Sequence, residues 1–380
     1  MLGECLEDTR QLYNAALEER REAWRMGGHQ TGFASQDAQL KEIRADDPER
    51  YGRWAFACER AAVRRLDRAF QGFFRRVKAG ERPGYPRFKG RGWWDSIEWP
   101  LHGNGCKWNS VPHPTVTRVY LKGIGHVKVH RHRAVKGKIK TITVKREGRK
   151  WYIILSCDDV PAAPLPAAGG AVGVDMGIAS FLTTSRGAHV PNPRHLAATA
   201  DRLAAAQRTV PRKKRGSKRR KSAIAKVAAL RGIVRRQRLD HAHNTALALV
   251  RNHNVIVHED LRIANMTMRP KPRLDSNGGY EPNGAAAKAG LNKSIHDAGW
   301  GIFLRVLSAK AESAGRKVIA VNPRHTSQRC AQCGHTEAGN RVTRAEFRCL
   351  TCGHRAHADV NAARNILRAG LALQEARDAA

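Results

Sequence analysis

Four of the eight cysteines fall in two close pairs, Cys330-Ala-Gln-Cys333 and Cys349-Leu-Thr-Cys352, separated by 15 residues and each followed by Gly-His. Two such turns can each present two thiolates to one tetrahedral ion, at about 2.3 Å per sulfur. The glycine after each pair lets backbone amides turn back towards the sulfurs. With all four positions supplied by protein the site is closed, which predicts structural Zn²⁺ and no zinc catalysis. His335 and His354 then lie beside the site or on the surface. Two redox pairs are the competing chemistry, but neither pair opens a helix after a strand as a thioredoxin-type site would. The other cysteines, Cys5, Cys58, Cys106 and Cys157, are scattered singly and fit a reducing compartment.

A second chemistry is carried by carboxylates. Val172-Gly173-Val174-Asp175 and Val255-Ile256-Val257-His258-Glu259 are short apolar runs that end in an acid. Each acid alone reads equally as a turn cap. Placed on neighbouring strands of one sheet, however, their side chains would converge on the edge where α/β folds bind ligands. Asp359, at the start of the last helix, is a third candidate. Three converging carboxylates repel one another unless cations sit between them. Two Mg²⁺ ions about 3.5 to 4 Å apart would relieve that repulsion and suit phosphodiester hydrolysis, and hard oxygen ligands favour Mg²⁺ or Mn²⁺ over zinc.

The elements that must position these groups fall into three stretches. Residues 1 to about 80 have helical periodicity: Leu6, Tyr13, Leu17 and Trp24 share one face, and Phe56, Val63, Leu66, Phe70, Phe73 and Val77 share another. Arg64, Arg65, Arg68, Arg75 and Arg76 lie opposite the second stripe. Gly84 to Trp94 interleaves aromatics with cations, including Tyr85, Arg87 and Lys89, and either stacks bases and contacts phosphates or anchors a loop to the core. From about 112 to 158 the period becomes two, a small basic antiparallel sheet or barrel, with a turn at Glu147-Gly148. A Pro/Ala/Gly segment at 161–170 reads as a linker. The remainder is α/β: strands at 171–175, 181–184, 255–257 and 318–321, a long basic helical region to Val250, a Pro/Gly/Asn-rich segment at 269–290, and a helix over 294–314. That segment reads as an insertion, or as a lid over the carboxylates.

The chain has 380 residues, 69 Lys and Arg against 33 Asp and Glu, and a formal charge of +36. Such an excess calls for a polyanion, with phosphate backbones the first candidate. Arg212, Lys213, Lys214, Arg215, Lys218, Arg219, Arg220 and Lys221 place eight cations in ten residues, read as nucleic-acid backbone contacts at a helix start. No run of about 18 apolar residues exists to span a bilayer, and the N-terminus lacks a signal-peptide pattern. The expectation is a cytoplasmic, nucleoid-associated protein with no membrane partner.

In their order and spacing, Tyr13-Asn14-Ala-Ala-Leu17, Gly84-Tyr-Pro-Arg-Phe-Lys89, Gly173-Val-Asp175-Met-Gly177, Glu259-Asp-Leu261, Ser294-Ile-His-Asp-Ala-Gly-Trp300, Thr326-Ser-Gln-Arg-Cys330 and Asp359-Val-Asn-Ala-Ala-Arg-Asn-Ile366 resemble the TnpB (OrfB) family of insertion-sequence proteins. The resemblance covers nearly the whole chain. Members of that family, long labelled transposases, are RNA-guided DNA endonucleases similar to compact type V CRISPR effectors. The resemblance implies a helical recognition region at 1–110, a β wedge at 111–160, and a RuvC (RNase H-like) nuclease domain at 171–380 with a zinc ribbon inserted at about 325–356. It implies Asp175, Glu259 and Asp359 as the Mg²⁺-binding catalytic residues. A guide RNA from the end of the element and double-stranded target DNA would be the partners, with no obligate protein partner; base pairing would read the sequence while the protein holds backbones.

Family members usually begin with a basic wedge strand before the Tyr-Asn motif, whereas only twelve residues precede Tyr13 here. A late start or a decayed copy would leave the wedge one strand short. Alternatives are therefore a truncated or inactive RNA-guided protein acting by occupancy, and a guide-independent RNase H-like resolvase, which would not need the recognition and wedge regions.

Overall fold

A computed structural model of the chain describes all residues but Pro112, Pro114, Thr115 and Ala380. Those four fall within the predicted segments 111–160 and 171–380 and lie outside the described residues. The N-terminal stripes wind into α1 (Leu2–Gly27), α2 (Phe33–Asp46) and α3 (Phe56–Lys78), with a π-helical turn at Pro48–Gly52 before α3. α1 buries Leu6, Tyr13 and Leu17, but its burial ends at Arg20. Trp24, expected on the same face, is therefore 62% exposed. Val77 likewise lies beyond the last buried residue of α3 and is 49% exposed. Two arginines opposite the α3 stripe are used in packing: Arg65 lies 4.3 Å from the Trp94 ring centroid and Arg64 lies 4.8 Å from that of Phe33.

Six strands follow: β1 (Ser96–Trp99), β2 (Cys106–Trp108), β3 (Thr117–Leu121), β4 (Gly125–Val129), β5 (Lys138–Glu147) and β6 (Lys150–Asp158). They form two antiparallel sheets, ordered β1-β5-β6 and β2-β3-β4. The reading of 1–110 as helical is thus corrected at its end. β1 and β2 are four and three residues long, too short for a period of two to register. Leu6, Tyr13, Leu17, Trp54, Leu66, Trp99, Leu121, Ile142 and Val144 share one core across these helices and sheets.

A first compact unit ends at Pro161 and a second begins at Ala162. The expected linker is fastened along most of its length to the second unit. Ala163 N–H donates to Ser313 O (2.9 Å), Leu165 N–H to Ala314 O (3.2 Å), and the Asn254 side chain pairs with both backbone groups of Ala168 (2.9 and 2.8 Å).

The second unit is α/β. β7 (Ala171–Asp175), β8 (Ser180–Thr184) and β9 (His189–Pro191) precede α4 (His195–Thr209) and α5 (Lys218–Asn252). Then come β10 (Val255–Glu259), α6 (Ile263–Met266), α7 (Ala285–Ala298), α8 (Trp300–Ser313), β11 (Lys317–Val321), β12 (Glu346–Arg348), β13 (Arg355–His357) and α9 (Ala358–Asp378). The main sheet runs β11-β10-β7-β8-β9, parallel across β11, β10 and β7 and antiparallel across β8 and β9. The single helix expected over 294–314 is two, because Gly299 adopts φ 74° and breaks the helix there. α7 also starts at Ala285, inside the segment read as an insertion.

α9 crosses β7 and β10, and two glycines allow the approach. A Cβ on Gly173 of β7 would stand 2.1 Å from Ala363 O, and one on Gly370 of α9 would stand 2.3 Å from Val257 Cγ1. That fit fixes where α9 begins, and hence where Asp359 lies.

Candidate active site and metal centre

β7 and β10 pair in parallel with His258 opposite Val174, so Asp175 and Glu259 follow at the same end of adjacent strands. Asp359 enters the first turn of α9. Burial pushes the Asp175 carboxyl up to about 7, and the charges of Glu259 and Asp359 push in the same direction while Arg341 opposes them. Burial also raises Glu259, against a hydrogen bond from Thr326 Oγ1 to its Oε1 at 2.5 Å. Arg341 Nη2 donates to Asp359 Oδ1 at 3.2 Å. Asp175, Glu259 and Asp359 are each partly buried, the other two acids push on Asp175, and Arg341 donates to Asp359, a hard-oxygen donor set that a divalent cation would stabilise.

Thr326, quoted only as the start of a family motif, and Arg341 were given no role at the carboxylates by sequence reasoning. Both lie in the region predicted as the zinc ribbon, so the insert supplies partners to two of the three carboxylates. Two histidines also border the site: the rings of His189 and His357 lie 4.7 Å apart, and His189 Nδ1 is 3.0 Å from Oγ1 of Thr183, the residue paired with Asp175. Gly177 lets the turn between β7 and β8 close tightly: a Cβ there would stand 2.9 Å from Ser180 O.

The four cysteines converge. Their Sγ atoms all lie within 4.8 Å of one another, the one such group of three or more metal-ligand atoms among the described residues. Cys330 and Cys352 are 3.7 Å apart, and Cys333 and Cys349 3.6 Å. A tetrahedron of about 2.3 Å Zn–S bonds has edges of about 3.8 Å, so the cluster fits structural zinc. The turns match: Gly334 (φ 81°) and Gly353 (φ 71°) donate to Cys330 O and Cys349 O, and the amides of Cys330 and Cys349 donate to His335 O and His354 O. The two histidines thus act through their backbones. The Cys352 amide, the largest influence, helps pull the Cys349 thiol down to about 6.

Asn361 and Asn365 bolt this centre to α9. Asn361 accepts from Ala331 N (2.9 Å) and donates to Arg329 O (2.8 Å), while Asn365 donates to Thr326 O (3.0 Å) and Arg329 O (2.6 Å). The asparagines of the Asp359-to-Ile366 motif therefore tie the cysteine turns to the helix that carries Asp359.

The predicted nucleic-acid residues divide. Arg212, Lys213, Lys214 and Arg215 occupy the exposed loop between α4 and α5, and Lys218, Arg219 and Lys221 are exposed on the first turn of α5. Arg220 instead staples that loop, donating to Val210 O (3.0 Å) and Lys213 O (3.2 Å). Tyr85 and Arg87 are exposed, whereas Lys89 turns its ammonium to within 5.8 Å of the Tyr13 ring centroid. No described helix is long and apolar enough to cross a membrane.

The family model OrfB_IS605, "Probable transposase", matches residues 144–269, and the Cas12f1-like TNB domain matches residues 300–366. InsQ of Escherichia coli (strain K12), named as an RNA-guided DNA endonuclease, is 35% identical over 82% of this chain and 74% of its own length. A Streptomyces pristinaespiralis protein named in the same way is 32% identical over 97% of this chain and 85% of its own. Among solved structures, the cryo-EM Cas12f1-sgRNA-target DNA complex aligns over 96% of this chain and 93% of that chain at 15% identity, with a TM-score of 0.35. The chain belongs to the TnpB/OrfB family of insertion-sequence proteins.

Proposed function

We propose that this protein is an RNA-guided DNA endonuclease of an insertion sequence, and that it hydrolyses phosphodiester bonds in guide-matched DNA at a RuvC-type, RNase H-like site. The reading is supported by the placement of Asp175 and Glu259 at the same end of adjacent parallel strands with Asp359 in the first turn of α9, near enough for both other acids to push the Asp175 carboxyl up. These residues would hold Mg²⁺ as a pair of ions, and the metal would activate water and stabilise the leaving oxygen. Thr326 orients the Glu259 carboxylate, and Arg341 steadies Asp359 until substrate and metal are bound. The cysteine centre holds Thr326 and Arg341 in place.

Guide RNA from the element end and double-stranded target DNA are the partners in this reading. The charge of +36 supports it, since RNA, a heteroduplex and displaced DNA all present phosphates. The helical region and the sheets of the first unit would serve as recognition and wedge elements, in a cytoplasmic, nucleoid-associated particle.

The test is to express the chain with its native downstream flank, purify it in high salt and sequence the bound RNA. One species ending in a variable segment from beyond the element supports the guided reading. Heterogeneous or absent RNA rejects it.

A further inference from the structure

The first unit carries an aromatic surface used by neither the carboxylates nor the cysteines. Phe70, Phe73 and Phe74 of α3 and Tyr85 of the following loop form one connected cluster. The Tyr85 centroid lies 5.5 Å from Phe70 and 5.3 Å from Phe73, and Phe73 lies 5.2 Å from Phe74. Phe70 is the buried root of the cluster. Its outer rings are open: Phe74 is 52% and Tyr85 45% exposed, and Phe88, three residues further along the loop with the Arg21 guanidinium 5.3 Å from its centroid, is also 45% exposed. Contiguous exposed rings mark a surface that meets a partner.

The loop is held in place. Asn14 pairs with both backbone groups of Lys89 (2.8 and 3.0 Å), Arg10 donates to Lys89 O (2.7 Å), and Arg76 donates to Gly84 O (3.4 Å). The rings are therefore presented on a fastened support. Residues 73–91 also carry seven Lys and Arg against one acid, Glu81. A partner that offers flat apolar faces together with dense negative charge is a strand of unpaired nucleotides. A duplex hides its base faces, so it would use the cations and leave the rings idle.

We propose that Phe74, Tyr85 and Phe88 form a stacking platform for unpaired bases of a single-stranded nucleic acid, with Arg75, Arg76 and Arg87 taking its phosphates. The proposal rests on the nucleic-acid reading above and specifies the strand that this surface takes. The test measures binding of the full chain to an RNA oligonucleotide, to DNA of the same sequence and to a blunt DNA duplex. The double variant Phe74→Leu, Tyr85→Leu keeps apolar bulk but removes both π faces.

Its affinity for a single strand is expected to fall about tenfold for each ring lost, with duplex affinity and the log-salt slope unchanged and the thermal transition retained. Loss confined to RNA assigns the platform to the guide, and loss confined to DNA assigns it to target DNA; either supports the proposal. Wild-type affinity in the double variant, an equal loss on duplex, or lost self-association in place of lost strand binding overturns the platform alone. Failure of the wild type to bind either strand overturns the nucleic-acid reading with it.

Discussion

Arg341, between the two cysteine pairs, donates to Asp359 at the first turn of α9 across 3.2 Å, so the segment that carries the cysteines reaches one of the candidate carboxylates directly. This guanidinium also opposes the upward push on Asp175. Arg341→Ala is expected to lower the cleavage rate while leaving target binding unchanged, and Arg341→Lys to recover part of the rate. Single-turnover cleavage and equilibrium binding on the same preparations check both parts.

The raised Asp175 carboxyl makes metal-free stability depend on pH. The folded protein holds this proton more tightly than the unfolded chain, so its contribution is fully present below the ordinary Asp range near pH 4. It is lost as pH rises through about 7, by on the order of 4 kcal/mol. Thermal unfolding without metal should therefore show a higher transition at pH 5 than at pH 8. Asp175→Asn should reduce that dependence, with buried Glu59, also raised to about 7, keeping part of it, and Mg²⁺ or Mn²⁺ should raise the wild-type transition at pH 8. A wild-type transition that rises from pH 5 to pH 8 would count against the buried repulsion.

Zinc should be present at one ion per chain by elemental analysis. Cys349→Ser, or a strong chelator followed by its removal and return of Mg²⁺, is expected to release it and abolish cutting, because Thr326 and Arg341 lose the scaffold that aims them at Glu259 and Asp359. Full activity in zinc-free protein would separate the cysteine centre from the carboxylates.

Gly173→Ala places a methyl 2.1 Å from Ala363 O, where backbone must move. A loss of at least about 1–3 kcal/mol is expected, with Asp359 displaced along with α9. Denaturant unfolding gives the size of the effect, and retained stability would show that α9 tolerates a shift.

Asp297 accepts from Leu196 N (2.8 Å) and Ala197 N (3.1 Å) at the start of α4, and from Arg238 Nη2 of α5 (2.7 Å). Burial pushes its carboxyl up, but Arg238 and the two amides outweigh that and hold it below its ordinary value. Its stabilisation is present above the ordinary Asp range and is lost as pH falls through the lowered value. Asp297→Ala strands Arg238 and two helix amides, and should cost about 3–5 kcal/mol. Unfolding measured beside Arg238→Met, which removes the other partner, tests the pairing.

The two metal-type sites were legible to different depths. The cysteine pairs declared their site because spacing within each pair fixes the turn, and only the meeting of the two turns needed the fold. Asp175 and Glu259 could be read as acids ending apolar strands, but their adjacency depended on β10 pairing beside β7. Thr326 and Arg341 carried no comparable signal: Thr326 lies 67 residues from its partner Glu259 and Arg341 lies 18 from Asp359, so neither pair shares a local pattern. Arg220 was read as a nucleic-acid backbone contact because sequence does not reveal that a guanidinium has carbonyls beneath it. Gly299 sat inside an apolar stretch that continues on both sides, and one glycine within a helical pattern does not by itself predict a break.

The central claim is tested most directly by loading the chain with its guide RNA and supplying Mg²⁺ with matched or mismatched duplex DNA. Wild type should cut only the matched duplex, and Asp175→Ala should bind that duplex without cutting it. Cleavage by Asp175→Ala at the wild-type rate, or wild-type cleavage regardless of the match, would contradict the account.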